Sequence, residues 1–161
     1  MVTVRPLRRY GSQSGFSLIE VLVSLAIIAI FAALAAPSFA DLIARTRTKS
    51  VASELYAALS RTRSEALVRN TQITVSAKAG SWQSGWIVAD PNNSGVSIDD
   101  RGATAGVSVS GPASVAFNAS GRLPSSAPPM FVVTSPASST ATACVSVGLS
   151  GRPYIIMAAT C

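Results

Sequence analysis

Few side chains in this sequence could carry out acid–base or metal chemistry. The 161 residues contain no histidine, which is the commonest general base and the commonest metal ligand in proteins. Seven carboxylates and two cysteines remain, and they are scattered along the chain. The composition therefore favours a protein that is not an enzyme and that uses neither a metal nor a cofactor.

Glu20 is unusual because it lies where apolar side chains are expected. It directly precedes a run from Val21 to Ala36 that only Ser24 interrupts. A carboxylate in a membrane span costs about 2 to 3 kcal/mol at the bilayer centre and less near its edge. A cut between Gly15 and Phe16 would create an α-amine four residues before Glu20, on the same helical face. With an ordinary pKa of about 7.7–8.0, that amine could neutralise Glu20 within its own chain or in a neighbouring copy.

The apolar run also has two simpler interpretations. It could be the core of a secretory signal peptide that is cleaved at the small residues Ala33-Leu34-Ala35. It could instead be a plain single-span anchor, since it is close to the roughly 20 residues that a bilayer requires. Both interpretations leave Glu20 unexplained.

The basic residues indicate membrane orientation more than general affinity for nucleic acid. The formal charge is +6, but removal of residues 1–15, with their three arginines, leaves ten basic against seven acidic residues, or +3. Arginines before an apolar run fit the positive-inside rule. The start of the chain is therefore expected in the cytoplasm and the remainder outside it.

The stretch Gly15-Phe16-Ser17-Leu18-Ile19-Glu20, between a basic leader and a long apolar run, resembles the class III signal of type IV pilins and pseudopilins. The resemblance implies that a prepilin peptidase cuts after Gly15 and methylates Phe16. It also implies that Glu20 pairs with the N-terminal amine of an adjacent subunit during assembly. Pro37 stands where the helix of this family carries a proline that kinks or locally melts it.

A long helix and a β-rich domain would position these residues. Apolar residues continue at helical spacing beyond Pro37, and Asn70 is a plausible helix end. The members of this apolar stripe are Val51, Ala52, Leu55, Leu59, Ala66 and Leu67. The predicted segments are a cleaved leader (1–15), a transmembrane or filament-core helix half (16–39), an amphipathic helix half (40–70) and a β-rich globular domain (71–161).

Short runs of β-branched and aromatic residues between turn clusters predict strands. The predicted strands are 72–77, 85–89, 106–110, 115–118, 130–134, 144–147 and 154–158, with a loose surface loop over 135–142. We therefore predict an α+β fold. The resemblance implies its type IV pilin-like form, a long N-terminal α-helix packed on a C-terminal antiparallel β-sheet domain.

A second stretch narrows the resemblance to the GspH/FimT group, which comprises H-type minor pseudopilins of type II secretion and T- and U-type minor pilins. The matching features are residues 58–70 (ALSRTRSEALVRN) before a strand, Trp82, Gly85-Trp86-Ile87-Val88 and Asp90. We expect the two tryptophans to pack in the core between a hairpin and the helix.

Cys144 and Cys161 are the only cysteines, and they fall in the part of the chain that would be exported. An oxidising compartment favours a disulfide between them. If residues 149–151 form a hairpin turn, Cys144 lies opposite Ile156. The tail must then fold back to bring the two Cα atoms within about 7 Å.

Some T-type minor pilins bind DNA through a C-terminal Gly-Arg-x-Arg motif, and Gly151-Arg152-Pro153-Tyr154 matches it in part. Tyr154 replaces the second arginine, so phosphate neutralisation is reduced, although a tyrosine can stack on an unpaired base. Arg122, in a second Ser-Gly-Arg, could join Arg152 if the fold brings the two together. The alternative, which we favour, is that both arginines are solvated turn residues.

The resemblance implies a minor pilin or pseudopilin stored in the inner membrane as a single-pass protein with its C-terminal domain in the periplasm. Its expected partners are the prepilin peptidase, inner-membrane lipid and other pilin subunits, with which it would enter a type IV pilus or type II pseudopilus at or near the tip. The sequence does not choose between these two filaments. A DNA-capturing minor pilin is the alternative function.

Overall fold

The computed structural model describes residues 15–158 and 160–161. The predicted leader thus lies, except for Gly15, outside the described residues. In the described part, one helix, α1 (Leu18–Arg69), precedes eight strands. The strands are β1 Ile73–Lys78, β2 Ser81–Ala89, β3 Ser97–Arg101, β4 Ser108–Ser110, β5 Ser114–Phe117, β6 Met130–Ser135, β7 Ser138–Val147 and β8 Pro153–Ile156. The chain divides into two compact units between Pro37 and Ser38.

The second unit contains the second half of α1 and two antiparallel four-stranded sheets. One sheet has the strand order β3-β2-β1-β5 and the other has the order β4-β6-β7-β8. Ala79 and Gly80, both at positive φ, make the tight turn between β1 and β2, the backbone geometry that two-residue hairpin turns require. The α+β class predicted from the sequence is confirmed.

The second half of α1 buries one face, because its apolar and small residues recur at spacings of three, four and seven. Its buried residues are Ala44, Thr48, Val51, Ala52, Leu55, Ala58, Leu59, Thr62 and Ala66. The predicted stripe is confirmed except for Leu67, which is exposed. Asn70, at φ +48°, follows the last helical residue in the left-handed conformation that often ends helices.

Both tryptophans lie in the hydrophobic core, as expected. Trp82 and Trp86 are almost fully buried, and the Trp82 ring packs edge-on against Phe131 with 4.8 Å between ring centroids. The Trp82 indole N–H donates to the carbonyl oxygen of Pro112 at 2.6 Å, which satisfies its one polar group.

The strand predictions missed β3 and the first half of β7, and they placed the start of β2 at residue 85 instead of Ser81. β3 was not predicted, because its sequence SIDDR is charged, yet its Asp99 pairs with Val88 of β2. β7 begins at Ser138, inside the predicted loop 135–142, and it buries Ala141 and Ala143. Small inward-facing residues gave this strand too little hydrophobic signal for recognition from sequence.

Candidate functional site

The apolar part of α1 within the first unit presents no buried face. All residues from 15 to 37 are exposed, including the large side chains of Phe16, Leu18 and Phe31. α1 is long and apolar enough to cross a membrane, and its Leu, Ile and Ala residues are compatible with a helix in lipid. We call residues 15–37 the exposed apolar segment.

Glu20 lies in the first turn of α1. Its amide donates to Ser17 Oγ at 3.2 Å, so Ser17 caps the helix start, and Ser24 Oγ donates to the Glu20 carbonyl oxygen at 2.8 Å. Both serines are thus satisfied by local backbone contacts. Within residues 15–158 and 160–161, no hydrogen bond or ion pair reaches the Glu20 carboxylate. Glu20 is the one charged residue of residues 15–37.

The predicted cleavage position lies before the helix begins. Gly15 and Phe16 precede Leu18, no atom of the described residues lies within 4 Å of a Cβ built on Gly15, and the Phe16 ring is 80% exposed. The helix continues through Pro37, and a kink there stays a prediction.

The disulfide has the predicted partners. Cys144 pairs with Ile156 across β7 and β8, and Cys161 returns to place its Cα 5.6 Å from that of Cys144. The expected hairpin turn is present, since the Gly151 amide donates to the Gly148 carbonyl oxygen at 2.7 Å. The end of the chain is thereby fixed to the sheet.

The two Ser-Gly-Arg turns meet in the fold. Gly121 and Gly151 are buried, and a Cβ built on Gly151 would overlap the carbonyl oxygen of Gly121. Arg122 and Arg152 directly follow these touching glycines, and both side chains are exposed. We call this contact the glycine junction. The fold therefore brings together the two turns that the sequence could only relate by hypothesis.

Arg63 of α1 is the residue that sequence reasoning missed at this junction. Its Nε donates to the Gly121 carbonyl oxygen at 2.9 Å, and it lies 3.1 Å from the Cβ position of Gly151. In the sequence, Arg63 could be singled out only by its position next to Thr62, which the structure shows to be buried. Tyr154 is 42% exposed two residues after Arg152.

In the described part of the chain, no group of three or more His, Cys, Asp or Glu residues could hold a metal ion. The charged residues instead form ion pairs that connect elements, such as Arg101 Nε with Glu54 Oε2 at 2.8 Å.

Two family models match this chain. The model described as type II transport protein GspH matches residues 51–151, and the model described as the prokaryotic N-terminal methylation motif matches residues 11–36. The first covers more than half of the chain and includes α1 from Val51 onward, strands β1 to β7 and both glycines of the junction.

The chain is also similar to individual pilins. It is 46% identical over 47 residues to the type IV major alpha-pilin of Moraxella bovis, a match that covers 29% of this chain and 30% of that relative. Two crystal forms of the type IV minor pilin FimU of Pseudomonas aeruginosa have TM-scores of 0.61 and 0.58, each with 20% identity. They cover 70% and 67% of this chain, and 90% and 91% of FimU. The family models and the fold together establish that the chain belongs to the GspH/FimT group of type IV minor pilins and pseudopilins.

Proposed function

We propose that this chain is a structural subunit, without enzymatic activity, that is assembled into a type IV pilus or a type II secretion pseudopilus at or near its tip. In this proposal the prepilin peptidase cleaves between Gly15 and Phe16 and methylates Phe16. Before assembly, the apolar helix half anchors the chain in the inner membrane, in contact with its lipid, and the β-rich domain lies in the periplasm.

The observation that carries the proposal is the carboxylate of Glu20 in the exposed apolar part of α1, where it has no partner among the described residues. An unpaired charge is costly in lipid, and it is costly again in a filament core made of apolar helices. The α-amine that cleavage creates on a neighbouring subunit would satisfy it. The pair would form only in the correct register, so Glu20 would help to place the subunit during assembly.

The first prediction concerns Glu20→Ala. This variant should insert into the membrane and lose its leader like the wild type, because the apolar run is retained. Its incorporation into sheared filaments should fall by about tenfold or more, as expected when a neighbouring buried charge loses its partner at a cost above about 1.4 kcal/mol. Quantitative immunoblotting of membrane and filament fractions measures both effects.

Ser24→Ala is the matched control, since it changes a polar residue one turn further along the same exposed helix. It should enter filaments at the wild-type level. Equal incorporation of Glu20→Ala and Ser24→Ala would contradict the proposed role of the carboxylate.

DNA binding is a second candidate function, supported by the contact between the two Ser-Gly-Arg turns. Arg122 and Arg152 are exposed beside one another's turns, and Tyr154 follows on β8. Two cations close together neutralise more phosphate than an isolated arginine, and affinity depends on the number of phosphates engaged. In this alternative the subunit would capture DNA for uptake.

A gel-shift assay of the detergent-solubilised full chain tests this alternative. If DNA binds at the junction, Arg122→Ala with Arg152→Ala should lower the steepness of log K against log salt by about 2, one for each phosphate that is no longer neutralised. Arg61→Ala, an exposed arginine elsewhere on the domain, should have a smaller effect. Absent binding, or an equal reduction in the two variants, would eliminate the junction as a DNA site.

A further inference from the structure

We propose that the outer edge of β5 is a docking site for an extended, uncharged strand from a different subunit of the filament. The inference deepens the proposed assembly function and rests on it. The β5 edge would be the surface of the globular domain that contacts a neighbour, and the segment that binds there would be extended and uncharged.

The backbone of β5 has unpaired groups along this edge. β5 pairs with β1 alone, in the register Ser76 with Ser114 and Thr74 with Ala116. The Ala77 amide donates to the Ala113 carbonyl oxygen. In an antiparallel ladder, hydrogen-bonded pairs alternate with pairs whose amides and carbonyls point away. The N–H and C=O groups of Ser114 and Ala116 therefore point outward, and no hydrogen bond within residues 15–158 and 160–161 is found for them on that side.

A groove runs along this unpaired backbone. It has a volume of about 470 Å³, and residues 114–116 of β5 form one wall. The segment between β5 and β6 supplies the other wall, which includes Leu123, Pro124 and Pro128. Among the described residues, none that lines the groove is charged. A segment that lies there could pair its backbone with β5 and place uncharged side chains against the prolines, which is the way strands add to sheet edges.

The other three sheet edges carry charges or a proline or have only three residues, whereas β5, with four residues, carries neither a charge nor a proline. Natural proteins protect exposed edges with charges, prolines or very short strands. β3 contains Asp99, Asp100 and Arg101; β4 has only three residues; and β8 begins with Pro153. The sequence of β5, SVAF, has no charge and no proline. An unprotected edge beside an uncharged groove indicates a partner of matching chemistry.

The geometry favours a different subunit over a second copy. Each described strand of this chain is already paired in a sheet, so a strand of a second copy would have to leave its own sheet to occupy the groove. Direct pairing of β5 with β5 of a second copy would be an isologous contact, which closes into a dimer and cannot extend along a filament. The occupant is therefore a free, extended segment of another subunit.

Ser114→Lys in the full-length chain tests the proposal, because Ser114 lines the groove and a lysine there would introduce the charge that other edges carry. We expect its incorporation into filaments to fall by about tenfold, equivalent to about 1.4 kcal/mol. Ser110→Lys is the matched control, since Ser110 is equally an exposed serine on an edge strand. It should incorporate like the wild type, and equal incorporation of the two variants would overturn the proposal.

A photo-crosslinking residue at Ser125, on the exposed rim of the groove, gives a second readout that does not depend on the stability of a β5 variant. In filaments it should form an adduct with an uncharged segment of a different subunit. An adduct only with a second copy of this chain, or no adduct in filaments that contain the protein, would overturn the proposal. Absence of the wild-type chain from filaments would instead contradict the proposed assembly function.

Discussion

At the scale of single residues, the glycine junction depends on two backbone positions that tolerate no side chain. Gly151 has φ +82°, in the left-handed region, and its missing Cβ allows the Gly121 carbonyl oxygen to approach. That oxygen also accepts the hydrogen bond from Arg63. One close approach therefore holds the helix, the turn before Arg122 and the turn before Arg152 together.

The Gly151→Ala variant should be destabilised by about 2 to 4 kcal/mol, because it combines a positive φ with a steric overlap. Gly80→Ala is the matched control, since Gly80 has φ +73° and open space at the Cβ position. It should be destabilised by only about 1 kcal/mol. Urea denaturation of both variants measures the difference, and equal destabilisation would show that the contact with Gly121 contributes nothing.

The sequence identified Arg122, Arg152 and Gly151 but not the contact that unites them. The stretch Ser-Gly-Arg is typical of a turn, and it can be recognised from the local sequence alone. The contact between two turns separated by 30 residues depends on how the sheets pack, as does the hydrogen bond from Arg63. In contrast, the predicted roles of Gly15, Phe16 and Glu20 depend only on residues that are neighbours in the sequence, and they stay predictions.

At the scale of elements, two carboxylates connect α1 to the β-rich domain. Asp41 accepts hydrogen bonds from Ser138 at the start of β7, from Arg45 and from Thr140. Asp90, after β2, accepts from the Asn92 amide at 2.9 Å and from Arg69 Nη1 at 2.9 Å.

These contacts predict how stability changes in acid. The hydrogen bond from Ser138, followed by the effects of Arg45, lowers the pKa of Asp41. The Asn92 amide, followed by Arg69, lowers the pKa of Asp90. Because both pKa values are lower in the folded state than the ordinary value of about 3.9, the carboxylates stabilise the fold above about pH 4. This stabilisation disappears as the pH falls through the lower folded-state values.

The Asp90→Asn variant should therefore have a lower melting temperature than the wild type at pH 7, and the difference should shrink as the pH falls toward 3. Asparagine can still accept the hydrogen bond from Asn92 but lacks the charge that pairs with Arg69. Circular dichroism melts from pH 3 to 7 measure the effect. A difference that stays constant over this range would contradict the assigned role of the ionised carboxylate.

The elements that could be predicted were those with a strong local pattern. The buried face of α1 and its end at Asn70 follow from helical spacing and from a residue that accepts positive φ. β3 and the first half of β7 could not be predicted, because pairing with a neighbouring strand, rather than hydrophobic alternation, stabilises them. Tertiary context often overrides such weak local preferences.

At the scale of the whole molecule, each of the two units carries a different exposed surface. The first unit carries an exposed apolar helix with one charge, and the second carries a disulfide-closed two-sheet domain with an unprotected strand edge. In the proposed function, lipid covers the apolar helix before assembly, and neighbouring subunits cover both surfaces after it. The fold class and the group could be inferred from sequence, whereas the β5 edge became visible only through strand order and register.

Mass spectrometry of the protein recovered from sheared filaments tests the central claim most directly, since it reports both assembly and processing. We predict that the chain is present in this fraction and that its N-terminal residue is Phe16 carrying one methyl group. A chain that is absent from filaments and found in the soluble exported fraction with Ala36 at its N-terminus would contradict the account.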